Sequence, residues 1–125
     1  MNIEKTNTTP EIKFENGVLE ISGRSIPKHA LEFFNPLKKT VEEYSLNPLP
    51  KTTVKVTLDY FNTPTAKILL DIFKMLERLH KAGEKSGKEV KIEWYFEEDD
   101  EEMLEYGEDY EQIINVPFSF HEIEE

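Results

Sequence analysis

Thr63 and Thr65 carry hydroxyl groups at a point where a strand is predicted to run directly into a helix. Asn62 or Thr63 can cap that helix, and Pro64 suits its first position. The free backbone N–H groups of a first helical turn and the helix dipole together favour negative charge. The junction therefore suits a phosphate on Thr63. The alternative is that Thr63 does no more than cap the helix.

Two regular patterns meet at this junction. Residues 52–61 are rich in β-branched and aromatic types, and apolar Val54, Val56 and Leu58 alternate with polar neighbours, which predicts a central strand. Residues 64–82 carry apolar side chains at helical spacing, which predicts an amphipathic helix. The residues expected to pack that helix on the sheet are Leu69, Ile72, Phe73 and Leu76.

The first third of the chain predicts a tail, a hairpin and a helix. Residues 1–9 are polar and unpatterned, so we expect a flexible tail followed by one domain over residues 10–125. Period-two segments flank Asn16-Gly17, a strong two-residue turn signal. A short helical turn is expected over residues 27–34, followed by a helix that Asn35 caps and Pro36 begins.

The last third predicts a strand, an acidic helix and a final strand. Residues 89–96 alternate, Asp99 or Asp100 can begin a helix that Gly107 weakens, and residues 116–123 read as a strand. The element order is thus β-β-α-β-α-β-α-β. It predicts an α/β fold with an N-terminal hairpin and a mixed, mainly parallel sheet.

The chain resembles a family of bacterial regulatory proteins. The similarity is most specific at Tyr60-Phe61-Asn62-Thr63, and it extends from Thr9-Pro10 to the closing segment Asn115-Val116-Pro117-Phe118-Ser119-Phe120. These residues, with the strand before the junction and the helix after it, resemble the SiaC-like regulatory phosphoproteins. Their domains are similar to the STAS fold of anti-anti-sigma factors, so the resemblance implies a single STAS-like domain.

The resemblance also implies a switch. In the family a partner Ser/Thr kinase phosphorylates the threonine of this motif and a PP2C-type phosphatase removes the phosphate. The unphosphorylated form binds and activates an effector, in one system a diguanylate cyclase. Carried over by motif, the phosphoacceptor is Thr63. Pro64 departs from the family pattern, which has a small hydroxyl residue there, and this leaves Thr65 as a second possible acceptor.

Exposed aromatic residues beside Thr63 would form a protein-binding patch. Tyr60, Phe61 and Tyr95 lie near predicted strand ends, where α/β sheets place their functional loops. The expected partner-binding residues are Tyr60, Phe61, Asn62, Thr63, Pro64, Thr65 and Lys67.

Composition limits the partners. The 125 residues include no cysteine and carry a formal net charge of -11. Such a charge disfavours nucleic acid and anionic lipid and favours a basic or neutral protein partner. We expect a cytoplasmic protein without membrane insertion, since no apolar run is long enough to span a bilayer.

The sequence gives less support for a metal site or a catalytic site. The acidic run over residues 97–102 lacks the ligand order of a calcium loop, and the three histidines are isolated, so no metal or other cofactor is expected. A small enzyme using Asp59 with Glu93 or Glu97 has no supporting motif. A constitutive protein- or ligand-binding scaffold, with Thr63 never phosphorylated, is the remaining alternative to a non-catalytic switch.

Overall fold

Three strands come first in the computed structural model, which describes residues 1–124, and helices and strands alternate after them. The strands are β1 (Asn2–Ile3), β2 (Glu11–Glu15), β3 (Val18–Ser25), β4 (Lys51–Phe61), β5 (Glu89–Glu97) and β6 (Phe118–Ile123). The helices are α1 (Ala30–Tyr44), α2 (Thr63–Gly83) and α3 (Glu101–Ile113), and a 3-10 turn, Glu84–Ser86, follows α2. This order confirms the predicted α/β class.

The six strands form one sheet in chain order, from β1 at one edge to β6 at the other. Strands β1, β2 and β3 pair antiparallel, whereas β3, β4, β5 and β6 pair parallel. The predicted N-terminal hairpin, the central place of β4 and the mainly parallel sheet are therefore confirmed.

One face of the sheet forms the core. In register across the sheet lie Ile21, Val56 and Trp94, each with no exposed surface. The residues by which α2 packs against this face include the predicted Leu69, Ile72, Phe73 and Leu76, all fully buried. The opposite face carries polar and charged side chains, since successive residues of a strand point to opposite sides.

The β2–β3 hairpin turns at the predicted Asn16-Gly17. Both residues have positive φ, 54° and 77°, as a two-residue hairpin turn of this type requires. A Cβ at Gly17 would lie 2.7 Å from the Lys51 carbonyl oxygen. Glycine is therefore needed here for close approach to β4 as well as for the turn.

The start of the chain differs from the predicted tail. Asn2 and Ile3 form a strand against Lys13 and Ile12, and the amino terminus donates a hydrogen bond of 3.0 Å to the Phe14 carbonyl. Two residues are too few for a periodic pattern, so pairing with an existing edge decides their conformation. The domain boundary at residue 10 stays a prediction.

Helix α1 is continuous where two elements were predicted. Asn35 caps no helix, because α1 begins at Ala30 and contains Pro36. Buried Ala30, Phe34 and Leu37 lie on one face across the expected break, so burial stabilises an unbroken helix. The missing N–H of proline costs less here than in a buried helix, since Pro36 is exposed and water can bond to the unpaired carbonyl.

Helix α3 begins at Glu101, after its N-cap Asp100, and packs on Trp94 through Gly107. A Cβ at Gly107 would lie 2.5 Å from Trp94 Cδ1, so the glycine permits contact rather than only weakening the helix.

Two hydrogen bonds hold α3 in place. The indole N–H of Trp94 donates to the Met103 carbonyl at 2.9 Å. The buried Tyr110 hydroxyl donates to the Ala66 carbonyl at 2.8 Å, which ties α3 to the first turns of α2.

Within residues 1–124, none of the helices combines the length and apolar character needed to cross a membrane.

Candidate functional site

A β-bulge shapes the end of β4. Leu58 pairs with Gly23, but the next pair is Tyr60 with Arg24, so Asp59 is an extra residue on β4. The extra residue reverses the side-chain alternation beyond it. Tyr60 is therefore 53% exposed, while Phe61 turns into the core and is 5% exposed. The expectation that both aromatic residues are exposed is wrong for Phe61.

Asn62, rather than Thr63, caps helix α2. Its backbone is extended, and its side-chain oxygen accepts hydrogen bonds from the Thr65 N–H at 3.1 Å and the Thr65 hydroxyl at 2.7 Å. Thr63 and Pro64 are the first two residues of the helix. Of the two caps that the sequence allowed, the structure uses Asn62, which leaves the Thr63 side chain without a capping role.

A buried hydroxyl pair holds the helix start against β3. Ser25 and Thr65 have no exposed surface, and their hydroxyl oxygens lie 2.8 Å apart. The Asn62 oxygen can only accept, so Thr65 donates to it and Ser25 donates to Thr65. The Asn62 N–H also donates to the Ser25 carbonyl at 3.0 Å. The last residue of β3 thus fixes both residues that form the helix cap.

Thr63 has the opposite environment to Thr65. Its side chain is exposed, and its hydroxyl makes no hydrogen bond to any residue in the described part of the chain. A phosphate could be added there without displacing a structural contact. At Thr65 it would require breaking three contacts of the buried hydroxyl, to Ser25 Oγ, the Ser25 carbonyl and Asn62. This difference argues against Thr65 as a second acceptor.

The helix start offers fewer free donors than the sequence indicated. Pro64 has no N–H, the Thr65 N–H bonds to Asn62, and the Ala66 N–H bonds to the Asn62 carbonyl at 3.0 Å. Among the contacts of residues 1–124, the Thr63 N–H is the one donor of the first turn that is left to meet an anion. A phosphate on Thr63 would gain from the helix dipole but would not sit in a cradle of backbone amides.

Helix α3 completes the surface beside the junction. A small acidic cleft of about 180 Å³ separates the end of β4 from the start of α3. Its lining residues are Asp59, Tyr60, Phe61, Asp100, Glu102, Met103 and Tyr106. The Phe61 and Tyr106 rings, 4.8 Å apart between centroids, form its apolar part. The residues from α3 were missed from sequence, although a parallel sheet brings the loops after β4 and β5 to one edge.

The predicted partner-binding residues divide by exposure. Tyr60, Thr63, Pro64 and Lys67 are exposed, and Asn62 is half-buried. Phe61 and Thr65 are buried, so they can position this surface but cannot contact a partner in this conformation. Ser25 was also missed, and its sequence context gives no signal, because the contact with Thr65 joins residues 40 positions apart.

Asp59 and Glu93, one of the two carboxylate pairs of the enzyme alternative, are not brought together. Glu93 pairs in register with Lys55, and Asp59 lies four residues further along β4, about 13 Å away along the strand. Burial raises the Glu93 pKa, but the Tyr95 hydrogen bond and the positive charge of Lys91 outweigh it and hold the pKa below its usual value. The β4–β5 pairing ends at Val56 and Trp94, before Asp59 and Glu97. Glu93 is thus a half-buried carboxylate on the open sheet face, paired with Lys91.

The histidines have separate surroundings. His80 Nδ1 accepts a hydrogen bond of 3.0 Å from the Val90 N–H, and His121 stacks on Tyr95 with ring centroids 4.8 Å apart. Over residues 1–124, no three His, Asp or Glu side chains are grouped so that they could hold a metal ion.

Comparison with known proteins places the chain in a family. The model of the SiaC family of regulatory phosphoproteins matches residues 3–123. No curated relative matches the chain significantly.

Solved structures match over nearly the whole chain. One is a crystal structure of the diguanylate cyclase SiaD in complex with its activator SiaC from Pseudomonas aeruginosa, with 26% identity and a TM-score of 0.89. The match covers 98% of this chain and 99% of that one. Another is apo-SiaC from the same organism, with 26% identity, a TM-score of 0.84 and 97% coverage of both chains. The chain belongs to the SiaC family of regulatory phosphoproteins.

Proposed function

We propose that the protein is a non-catalytic regulatory phosphoprotein that is switched at Thr63 and that binds and regulates a diguanylate cyclase when Thr63 is unphosphorylated. The single observation that carries the site assignment is the contrast between exposed, unbonded Thr63 and buried, bonded Thr65. A similar chain, SiaC of Pseudomonas aeruginosa, activates the diguanylate cyclase SiaD, which supports the class of effector.

The partners follow from the switch. A Ser/Thr kinase adds the phosphate and a PP2C-type phosphatase removes it, by the family resemblance. Both must reach the Thr63 hydroxyl, and Thr63 is exposed, as are Tyr60 and Pro64. Because the kinase reaction consumes ATP, we place the switch in the cytoplasm.

Phosphorylation would act on the surface rather than on the fold. It adds roughly -1.5 to -2 charges at pH 7. Lys67 lies one helical turn after Thr63 and can offset part of this charge. The cleft between the end of β4 and the start of α3, however, already contains the carboxylates of Asp59, Asp100 and Glu102. An effector that docks here would have to desolvate the dianion, which costs several kcal/mol unless an arginine lies opposite. A loss of roughly 3 kcal/mol lowers affinity more than a hundredfold.

The site is tested by mapping phosphate on protein purified from its native cells, with and without phosphatase treatment. Intact mass should show one phosphate, and peptide mapping should place it on Thr63. Thr63→Ser should remain modified and Thr63→Ala should not. Phosphate on Thr65 in the Thr63→Ala variant would refute the assignment, and a complete lack of phosphate would favour the constitutive scaffold.

The direction of the switch is tested by calorimetry with the cognate diguanylate cyclase. The unphosphorylated protein should bind at least a hundredfold more tightly than the phosphoprotein and should change the rate of cyclic-di-GMP synthesis. Equal affinity, or tighter binding by the phosphoprotein, would contradict the proposal.

A further inference from the structure

A groove between α1 and α2 concentrates positive charge on an acidic chain. The groove has a volume of about 830 Å³. Four cations line it, Lys38 and Lys39 from α1 and Lys74 and Arg78 from α2, against two carboxylates, Glu42 and Asp71. The whole chain has 15 Lys and Arg residues and 26 Asp and Glu residues. The groove thus reverses the sign of charge that the rest of the protein presents.

Only one of these four cations makes an ion pair with a residue in the described part of the chain. Lys38 lies 3.7 Å from Asp71. Among residues 1–124, the ion pairs within 4 Å include none made by Lys39, Lys74 or Arg78. An acidic partner could therefore pair with three cations without first breaking an existing ion pair.

The groove also offers apolar surface. Met75, Leu79 and Ala82 of α2 form its floor, and Leu46, just after α1, is 85% exposed at its end. The lining of α1 runs from Asn35 to Leu46, about 17 Å of helix at 1.5 Å per residue. A groove of this length, with an apolar floor between charged rims, suits three turns of an amphipathic helix laid between two helices.

This groove is separate from the Thr63 surface. Lys74, the nearer of the two α2 cations of the groove, follows Thr63 by 11 residues on the same helix, about 17 Å along its axis. That distance exceeds the Debye length of about 8 Å at physiological salt. A charge added at Thr63 would therefore have little effect on binding in the groove.

We propose that the α1–α2 groove docks an acidic amphipathic helix of a partner protein, independently of the Thr63 switch. The apolar floor would take the helix's hydrophobic stripe, and Lys39, Lys74 and Arg78 would pair with its carboxylates. A protein helix fits better than nucleic acid, because the remaining surface of a chain at -11 repels a phosphate backbone.

The test uses a designed, fluorescein-labelled helical peptide of about 15 residues, four turns, with leucines at i, i+3, i+4 and i+7 spacing and glutamates elsewhere. Fluorescence anisotropy should show saturable binding to the full-length protein that weakens as salt is raised. A scrambled peptide of the same composition and a peptide with lysine for glutamate should both bind at least roughly tenfold more weakly, because they lose the stripe or the charge complementarity.

The decisive variant is Lys74→Glu with Arg78→Glu, which should weaken peptide binding at least roughly tenfold. Its matched control is Lys28→Glu with Lys85→Glu, which changes the net charge equally at exposed positions outside the groove and should leave binding unchanged. Thermal unfolding checks that both double variants fold. Thr63→Glu should also leave the peptide affinity unchanged.

Four results would overturn the proposal. They are equal binding by the groove variant and wild type, equal losses in the groove variant and its control, equal binding of the scrambled peptide, and a loss of binding in Thr63→Glu.

Sedimentation and vesicle binding test whether the groove has a different occupant. A groove-dependent oligomer would assign the groove to a second copy, whose own α3 is acidic, and groove-dependent binding to anionic vesicles would assign it to a membrane surface.

Discussion

The Ser25 hydroxyl oxygen lies 2.8 Å from the Thr65 hydroxyl oxygen, and neither residue has exposed surface. The contact joins the last residue of β3 to the first turn of α2. Through Thr65 it also reaches Asn62, which caps the helix. Thr63, the exposed threonine between Asn62 and Thr65, therefore lies on a backbone segment that these buried contacts hold in one conformation.

Substitutions should separate these two threonines by their effect on stability. Thr65→Val keeps the shape of the side chain but leaves the buried Ser25 hydroxyl without its partner, which should cost about 1–3 kcal/mol of unfolding free energy. Thr63→Val removes an exposed hydroxyl and should change stability by about 0.5 kcal/mol or less. Urea unfolding of both variants is the measurement. Similar losses in the two would contradict this account.

Substitutions of Ser25 and Thr65 should have non-additive effects on the free energy of unfolding. Ser25→Ala and Thr65→Val should each destabilise, and the double variant should cost less than their sum, because it leaves no unpaired hydroxyl. A double-mutant cycle in urea measures this coupling, which should be at least about 0.5 kcal/mol. Strict additivity would mean that the two hydroxyls do not interact in solution.

Asn62→Ala should lower the unfolding free energy by about 1 kcal/mol, because it removes the cap of α2. Asn62→Asp is the matched control: it keeps the acceptor and adds a charge that the helix dipole favours, so its stability should be close to wild type. Hydrogen exchange at Thr65 and Ala66 should quicken only in the alanine variant. Unchanged exchange in Asn62→Ala would show that another group caps the helix.

Gly107→Ala should destabilise the protein although alanine favours a helix by about 1 kcal/mol. The new Cβ would lie 2.5 Å from Cδ1 of Trp94, whose buried ring is also held by its bond to Met103. Overpacking of this kind costs about 1–3 kcal/mol. The midpoint of thermal unfolding and the fluorescence emission of Trp94 should both shift. Glu108→Ala, at an exposed neighbouring position, should change neither. A stabilised Gly107→Ala would refute the packing argument.

Glu93 should make the free energy of unfolding depend on pH in the acidic range. Its folded-state pKa lies below the ordinary 4.5, so its charged form stabilises the fold above that pH and the contribution is lost as pH falls through the lower value. Glu93→Gln should therefore be less stable than wild type at neutral pH, by about 1 kcal/mol or less, with the difference shrinking below pH 4.5. Glu89→Gln, an exposed residue on β5, is the control for loss of one charge. A difference between Glu93→Gln and wild type that grows in acid would reverse the sign.

The sequence by itself determined most of the architecture, because the patterns concerned are local and long. The alternation around Val56, the helical spacing around Leu69 to Leu76 and the Asn16-Gly17 turn are each confirmed. Where local signals competed, burial decided. The cap-and-proline signal at Asn35-Pro36 was overridden because Phe34, Leu37 and Val41 extend the buried face of one helix.

Thr63, the phosphoacceptor that we propose, was visible in the sequence, but its surroundings were not. One extra residue at Asp59 reverses the alternation and decides that Tyr60 is exposed and Phe61 is buried. The cap by Asn62 and the burial of Thr65 depend on Ser25, which is 40 residues away from Thr65 in the chain. Periodicity reports only which side of an element faces the core. Contacts between distant segments, and the register shifts that redirect side chains, arise only when the sheet and helices pack together.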